Sequence, residues 1–251
     1  MRVKVPVLTY HSIDESGSII STSPENFRRQ MGILSESGFN VISLKELTAS
    51  LHENRSLSPK QIALTFDDGF QNFYTKAFPI LLEYGFTATV FLVTDYCDKY
   101  NDWPGNLPTL GKSKLLSWNE IKELNKYDID FGAHTSTHPD LTRLSTAETE
   151  KEMVQSKKKI EDHLGAEVTD FAYPYGRYNE RVKRMTRNYF RGACSTDLGV
   201  VHTESDLFSL KRVDSYYLSN DRIFRLLSSN SLDWYWVLRQ AMRDLKQLFN
   251  R

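Results

Sequence analysis

The sequence predicts an α/β protein whose parallel strands close, or nearly close, into a barrel. Strand-like and helix-like segments alternate along the whole chain, and the alternation yields six or seven main strands. Repeated strand–helix units imply crossover connections, and so a parallel sheet with helices outside it. Length agrees: 251 residues, 40% hydrophobic and 12% aromatic, can supply one large core, and an α/β barrel often takes about 250 residues as a single domain. A doubly wound open sheet is the alternative. Both architectures place active sites at the carboxyl ends of strands.

The elements follow in order. Residues 3–10 are apolar and β-rich. Ser23-Pro24-Glu25 opens a helix, with serine as N-cap and proline at the first helical position. Its apolar Phe27, Met31 and Leu34 recur at helical spacing, and Gly38 closes it. A short strand spans 40–42, a helix 44–53 and a loop 56–60. Then come a strand at 62–66, a helix at 72–84 and a strand at 87–93. Residues 95–116 form a long connection containing Trp103-Pro104-Gly105, and a loop of that length inside a compact domain is commonly functional. Ser117 caps the next helix, with Glu120 completing a capping box. Strands at 129–133, 170–173, 192–195 and 208–213 alternate with helices at 146–164 and 180–189. The barrel domain is assigned to 1–220 and a C-terminal helical extension to 221–251.

Thirty-two basic residues balance thirty-two acidic ones, without the basic excess of a nucleic-acid binder. Cys97 and Cys194 make neither a disulfide framework nor a CxxC pair and read as core or loop residues. Met1-Arg2-Val3-Lys4-Val5-Pro6 passes straight into strand-like sequence, without the apolar stretch of a signal peptide. No apolar run reaches about eighteen residues, the length of a membrane-spanning helix. A cytoplasmic location is the expectation.

The residues that follow the strands carry chemistry. Tyr10-His11 follows the first strand, Asp67-Asp68-Gly69 the strand at 62–66, His134 the strand at 129–133, and Pro174-Tyr175-Gly176 the strand at 170–173; Arg212 and Asp214 lie at the end of 208–213. Two adjacent carboxylates at a buried strand end repel each other unless a cation offsets them. His134 and His138 are four residues apart, but Pro139 biases His138 towards extended backbone, so a compact loop rather than a helix brings the two imidazoles together. Two histidines and one carboxylate make a tridentate site with an open position, as in catalytic zinc centres. Gly69 relaxes the backbone, so both aspartates can enter the cleft, one binding the cation and the other taking a proton from water.

These motifs resemble the polysaccharide deacetylases of carbohydrate esterase family four, the NodB-homology family. Thr65-Phe66-Asp67-Asp68-Gly69 is similar to its first motif, His134-Thr135-Ser136-Thr137-His138 to its second, and Phe171-Ala172-Tyr173-Pro174-Tyr175-Gly176 to its third. Leu8-Thr9-Tyr10-His11-Ser12 resembles the N-terminal histidine segment of the circularly permuted branch that includes poly-N-acetylglucosamine deacetylases. The resemblance implies a distorted, often incomplete (β/α)7 barrel. It implies Asp67 as general base, His11 as general acid, and Asp68, His134 and His138 as ligands of a divalent metal. It also implies that the Tyr175 backbone amide helps stabilise an oxyanion. Ala172 stands where the family often has an arginine against the base, which leaves Arg212 or Arg177 to replace it. The N/N/O donor set suits zinc, and also cobalt, nickel or iron.

The implied reaction is metal-dependent hydrolysis of N-acetyl groups on an N-acetylated sugar or polysaccharide. A non-catalytic glycan-binding relative, or a hydrolase of a small amide, formamide or nucleotide-sugar, is the alternative. Trp103 and Arg212 are assigned to substrate binding. Trp118 reads as a core anchor. In the tail, Trp234, Leu238, Ala241, Leu245 and Leu248 follow helical spacing with Arg239, Arg243 and Lys246 among them, a pattern that packs on the barrel or meets a membrane surface or a protein.

Overall fold

The computed structural model describes residues 3–106, 111–228 and 233–249; the side chains of Trp234, Leu245 and Leu248 lie outside the described residues. The elements, in chain order, are β1 (Val7–Tyr10), β2 (Ser12–Ile13), β3 (Ser21–Thr22), α1 (Pro24–Glu36), β4 (Asn40–Ile42), α2 (Leu44–His52), β5 (Gln61–Phe66), α3 (Phe78–Tyr84), β6 (Ala88–Leu92), α4 (Trp118–Leu124), β7 (Ile129–Ala133), α5 (Thr146–Leu164), β8 (Asp170–Ala172), α6 (Glu180–Tyr189), β9 (Gly192–Leu198), β10 (Leu210–Asp214), α7 (Asp221–Arg225) and α8 (Asp233–Phe249). Seven strands close a parallel barrel in the order β1-β5-β6-β7-β8-β9-β10, because β1 pairs with both β5 and β10. β4 pairs with the start of β5 through Ala63, which also pairs with Val7 of β1. One residue cannot meet both strands on one edge, so β4 wedges in on the β6 side, where Leu44 N donates to Thr89 Oγ1.

Strand alternation divides the core in two. Leu8, Tyr10, Leu64, Phe66, Val90 and Leu92 point outward into a cluster shared with Phe27, Met31 and Leu34 of α1. Val7, Ala63, Phe91, Ala172, Cys194 and Leu210 belong to a second cluster with Leu44, Leu47 and Leu51 of α2, which therefore closes the amino-terminal end of the barrel. Gly192 allows that approach: a Cβ there would lie 2.5 Å from Thr48 Cγ2. Cys97 and Cys194 are buried and unpaired, and burial pushes both thiols up to about 12, so neither is a thiolate near neutral pH.

Local signals set most boundaries. Ser117 with Glu120, and Ser145 with Glu148, form complete capping boxes at α4 and α5. The expected helix at 72–84 instead opens with one π-helical turn over Phe73–Ala77, in which Phe78 N donates to Phe73 O. Pro79 has no N–H for the carbonyl four residues earlier, and the wider turn accommodates that loss. The two-residue strands β2 and β3, too short to leave a periodic pattern, form a small parallel ribbon outside the barrel sheet.

The tail corrects one expectation. Helix α8 lies against β9: Trp236 is buried, Leu198 N donates to Gln240 Oε1 at 2.8 Å, and Arg243 Nη1 donates to Thr196 O at 2.8 Å. The inward face therefore carries Trp236, Gln240 and Arg243, while Leu238 and Ala241 of the expected stripe point outward. Among the described residues no helix is long and apolar enough to cross a membrane.

Candidate active site

The functional residues gather at the carboxyl ends of the strands, each held by a local device. At the end of β5 both Asp68 (φ 70°) and Gly69 (φ 71°) are left-handed. Aspartate tolerates that region. At position 69 a side chain would also press on Leu92, whose Cδ2 lies 2.9 Å from an added Cβ. Two consecutive left-handed residues break the strand alternation and turn both carboxylates into the mouth. After β7, Thr135 (φ 69°) and His138 (φ 61°) curl the chain so that Thr135 Oγ1 accepts from His138 N at 2.9 Å. Glu152 of α5 fastens this loop: its Oε2 accepts from Ser136 N at 2.8 Å and Thr137 N at 2.9 Å, and its Oε1 from Thr137 Oγ1 at 2.8 Å.

Asp68, His134 and His138 converge. Asp68 Oδ1 lies 3.5 Å from His134 Nε2 and 3.4 Å from His138 Nε2, and the two Nε2 atoms are 3.2 Å apart. These separations suit a shared cation: ligand bonds of about 2.0–2.1 Å at tetrahedral angles put donor atoms about 3.3 Å apart. The tautomer is prepared as well. His134 Nδ1 lies 2.7 Å from Ala172 O, a contact only a protonated Nδ1 satisfies, so the Nε2 lone pair faces the cluster. Burial holds the His138 imidazole well below its ordinary value, the neutral form a metal requires, and burial pushes the Asp68 carboxyl up. A divalent ion would reverse the penalty on Asp68. The donor set and its spacing fit a zinc-like metal.

Asp67 has a different environment. Arg212 of β10 reaches across the barrel interior, with Nη1 and Nη2 each 2.7 Å from a carboxylate oxygen of Asp67. Arg212 Nε donates to Ser195 O at 2.9 Å and Nη1 to Thr65 Oγ1 at 3.2 Å. Burial raises the Asp67 carboxyl, but the charge and hydrogen bonds of Arg212 outweigh it and hold the group far below the carboxylate range. Arg177 instead pairs with Asp140 at 2.8 Å. At 1% exposed and wholly engaged, Arg212 touches the Asp67 carboxylate and does not face an open cleft, so its assignment to substrate binding is corrected to the support of Asp67. His11 stands on the other side, with Nε2 3.8 Å from Asp67 Oδ2.

Among the aromatic residues Trp103 departs from expectation, while Trp118 packs against the core as expected. Trp103 is 4% exposed; its ring lies 4.7 Å from His138 and 5.5 Å from Tyr96, so it walls the Asp68/His134/His138 cluster and offers solvent no sugar platform. Trp118 stacks on His163 at 3.9 Å, between α4 and α5. Tyr175 (φ 58°) occupies the turn after β8, its ring 4.6 Å from His138. Gly176 beside it is obligatory, since a Cβ there would overlap Thr196 Oγ1 at 2.0 Å. Glu152 went unnoticed in the sequence because nothing local connects it with the histidine loop.

A parallel barrel with a buried Asp/His/His cluster, an adjacent Arg-paired aspartate and a nearby imidazole fits a metal-hydrolase type of site at the strand ends. Comparison with known proteins gives the family. Residues 54–190, more than half of the chain, match the polysaccharide deacetylase family model, and the chain belongs to that family. It is 29% identical over 211 residues to YxkH of Bacillus subtilis (strain 168), provisionally named a polysaccharide deacetylase, covering 84% of this chain and 71% of that protein. It is 28% identical over 219 residues to the poly-β-1,6-N-acetyl-D-glucosamine N-deacetylase of Staphylococcus epidermidis, covering 82% of this chain and 71% of the relative. The Escherichia coli (strain K12) enzyme of the same name is 23% identical over 225 residues, and the match spans 33% of its length. The structure of the Streptococcus pyogenes deacetylase PplD in complex with acetate superposes with a TM-score of 0.75 at 28% identity, over 85% of this chain and 93% of that one.

Proposed function

We propose that this protein hydrolyses N-acetyl groups on an N-acetylated glycan, releasing acetate and leaving a free amine. One observation carries the reading: three donor atoms spaced for a single cation stand beside a carboxylate that Arg212 keeps ionised and an imidazole within 3.8 Å of it. The family and the N-acetylglucosamine polymer named for two of the relatives support the substrate class. Asp68, His134 and His138 would hold a divalent metal, most simply zinc, which when bound acidifies water and polarises the acetyl carbonyl.

The chain's own residues do the rest. Asp67 accepts the proton of the attacking water; being ionised throughout the working pH range, it is always available as an acceptor. Arg212 fixes both carboxylate oxygens and so sets the direction of that transfer. The Tyr175 amide, in its left-handed turn, donates to the developing oxyanion. Amide cleavage requires a proton on the departing nitrogen, and His11 supplies it. Trp103 shields His138 and keeps bulk water from that side of the cluster.

The test is acetate release from N-acetylglucosamine oligomers by metal-loaded protein. His11→Ala should lower kcat by about 10²–10⁴-fold, the usual share of a general acid, with bound metal unchanged. Full turnover in that folded variant would remove His11 from the reaction, and no acetate from any N-acetylated sugar would overturn the reading itself.

A further inference from the structure

The His11 side chain is placed by its backbone. Among the described residues no hydrogen bond reaches its imidazole, and the nearest carboxylate oxygen, Asp67 Oδ2, lies 3.8 Å from Nε2. Its position therefore depends on the chain to either side. Before it, Asp67 N donates to Tyr10 O at 3.0 Å, continuing the β1–β5 pairing. After it, the chain leaves the barrel sheet for the β2–β3 ribbon, where Ser12 N donates to Ile20 O at 3.1 Å. One side chain ties this departing segment back to the end of β5. Asn72 Oδ1 accepts from Ile13 N at 3.0 Å, and Asn72 Nδ2 donates to Ser12 Oγ at 2.6 Å. The Ile13 N–H can meet only an oxygen, which fixes the orientation of the amide. The Ser12 hydroxyl donates in turn to Asp14 Oδ2. Burial alone would raise the Asp14 carboxyl, but hydrogen bonds from Ser12, Ser16 and Ser21 hold it at about 2, so it accepts and does not donate. Asn72 also forgoes an ordinary task. It stands just before the π-helical turn Phe73–Ala77, where asparagine commonly caps, and makes no capping bond.

We propose that Asn72 is a positioning residue for the general acid: its amide keys the backbone after His11 to the same segment, 67–72, that carries Asp67 and Asp68. The inference rests on the role proposed for His11. His11 is then bracketed by two members of one segment, Asp67 N on one side and the Asn72 amide on the other. The chemistry demands such a tie. The base takes a proton from water attacking the acetyl carbon, and the acid must deliver one to the nitrogen bonded to that same carbon. As the tetrahedral adduct collapses, the C–N bond breaks, its electron pair stays on nitrogen, and the imidazolium proton completes the free amine. Base and acid come from the ends of different strands, β5 and β1, so their separation has to be fixed by something that spans the two. A misplacement of about 1 Å can cost about 10²-fold in rate. An aryl ester separates this role from general support of the site. The 4-nitrophenolate of 4-nitrophenyl acetate departs as an anion near neutral pH and needs no acid, while attack on its carbonyl still uses Asp67 and the metal.

The experiment compares N-acetylglucosamine oligomers with 4-nitrophenyl acetate as substrates of metal-loaded protein carrying Asn72→Ala or Ser12→Ala, each alone and combined with His11→Ala. Asn72→Ala should lower kcat on the oligomers about 10–100-fold, with KM and metal content unchanged. Its hydrolysis of the aryl ester should fall less than about twofold. With His11→Ala already present, adding Asn72→Ala should cost nothing more on the oligomers, since no acid remains to be positioned. Ser12→Ala keeps the Ile13 contact and should show the same pattern with a loss of about three- to tenfold, the worth of one hydrogen bond. It carries the test should Asn72→Ala misfold. Equal losses on both substrates, or losses that multiply when either variant is combined with His11→Ala, overturn the positioning role and leave His11 as the acid. Full oligomer turnover in His11→Ala sinks the acid assignment and this inference with it.

Discussion

Two buried aspartates at opposite ends of the barrel meet opposite fates. Asp67, just past the carboxyl end of β5, is clamped by a guanidinium and held ionised. Asp170 opens β8 at the amino-terminal end, with Thr169 Oγ1 donating to its Oδ2 at 2.7 Å and the Thr48 hydroxyl nearby. Burial dominates there, Asp130 adds to it, and the carboxyl is pushed up to about 6. Both groups are buried, and burial raises each. Only the mouth sets a bidentate guanidinium against the carboxylate; at Asp170 the charge of Lys45 opposes the shift without overcoming burial.

The comparison is sharpest if its strong half is broken first. Arg212→Met leaves Asp67 buried without its counter-charge and should destabilise the fold by about 3–5 kcal/mol at pH 8 in urea unfolding. The loss should shrink near pH 4, where the stranded carboxyl protonates. In the unaltered protein the sign is fixed by a depressed value: the contribution of Asp67 is fully present above the unfolded value of about 3.9 and drains only as pH falls further. A loss equal at both pH values would show that Arg212 acts by packing alone.

The weak half runs the other way. Asp170 has a raised folded value, so between about 3.9 and 6 the native state holds a proton that the unfolded chain has released. Its cost is absent below that window, grows through it and is complete above it, at about 3 kcal/mol. Asp170→Asn should therefore stabilise the protein at pH 8 by up to about that amount and change little near pH 4, as unfolding curves at the two pH values would reveal. A gain that ignores pH would exclude titration as the cause. The smallest expected effect tests the clamp on the histidine loop. Glu152→Gln should weaken metal binding about 10–100-fold in chelator competition, as loss of an outer-shell partner typically does, without unfolding the barrel. Unaltered affinity would mean the loop holds its own shape.

What the sequence made legible was local. The strands at 40–42 and 129–133 and the helices at 146–164 and 180–189 have the bounds that periodicity and caps predict, since serine caps and apolar spacing act within a few residues. The motif residues Asp68, His134 and His138 were legible because each follows a strand, and a parallel barrel must bring strand ends to one rim. Asp67 and Arg212 are 145 positions apart, and Glu152 meets the Ser136 loop from helix α5; neither contact leaves a mark on its neighbours in sequence. The tail misled for a related reason. Its stripe shows which face is apolar, but the hydrogen bonds of Gln240 and Arg243 to β9 decide which face turns inward. Trp103 looked available because Pro104-Gly105 marks a turn, yet its indole fills the space over His138.

The first strand of the barrel is fastened on one side by β5 and on the other by β10, where Leu8 pairs with Val213 and Thr9 with Asp214. During synthesis the segment bearing His11 leaves the ribosome long before its second neighbour exists. Until residues 210–214 emerge, the ring stays open and Arg212 has not arrived. A nascent chain thus presents the His11 segment well before Arg212 can reach Asp67 and close the last pairing of the ring.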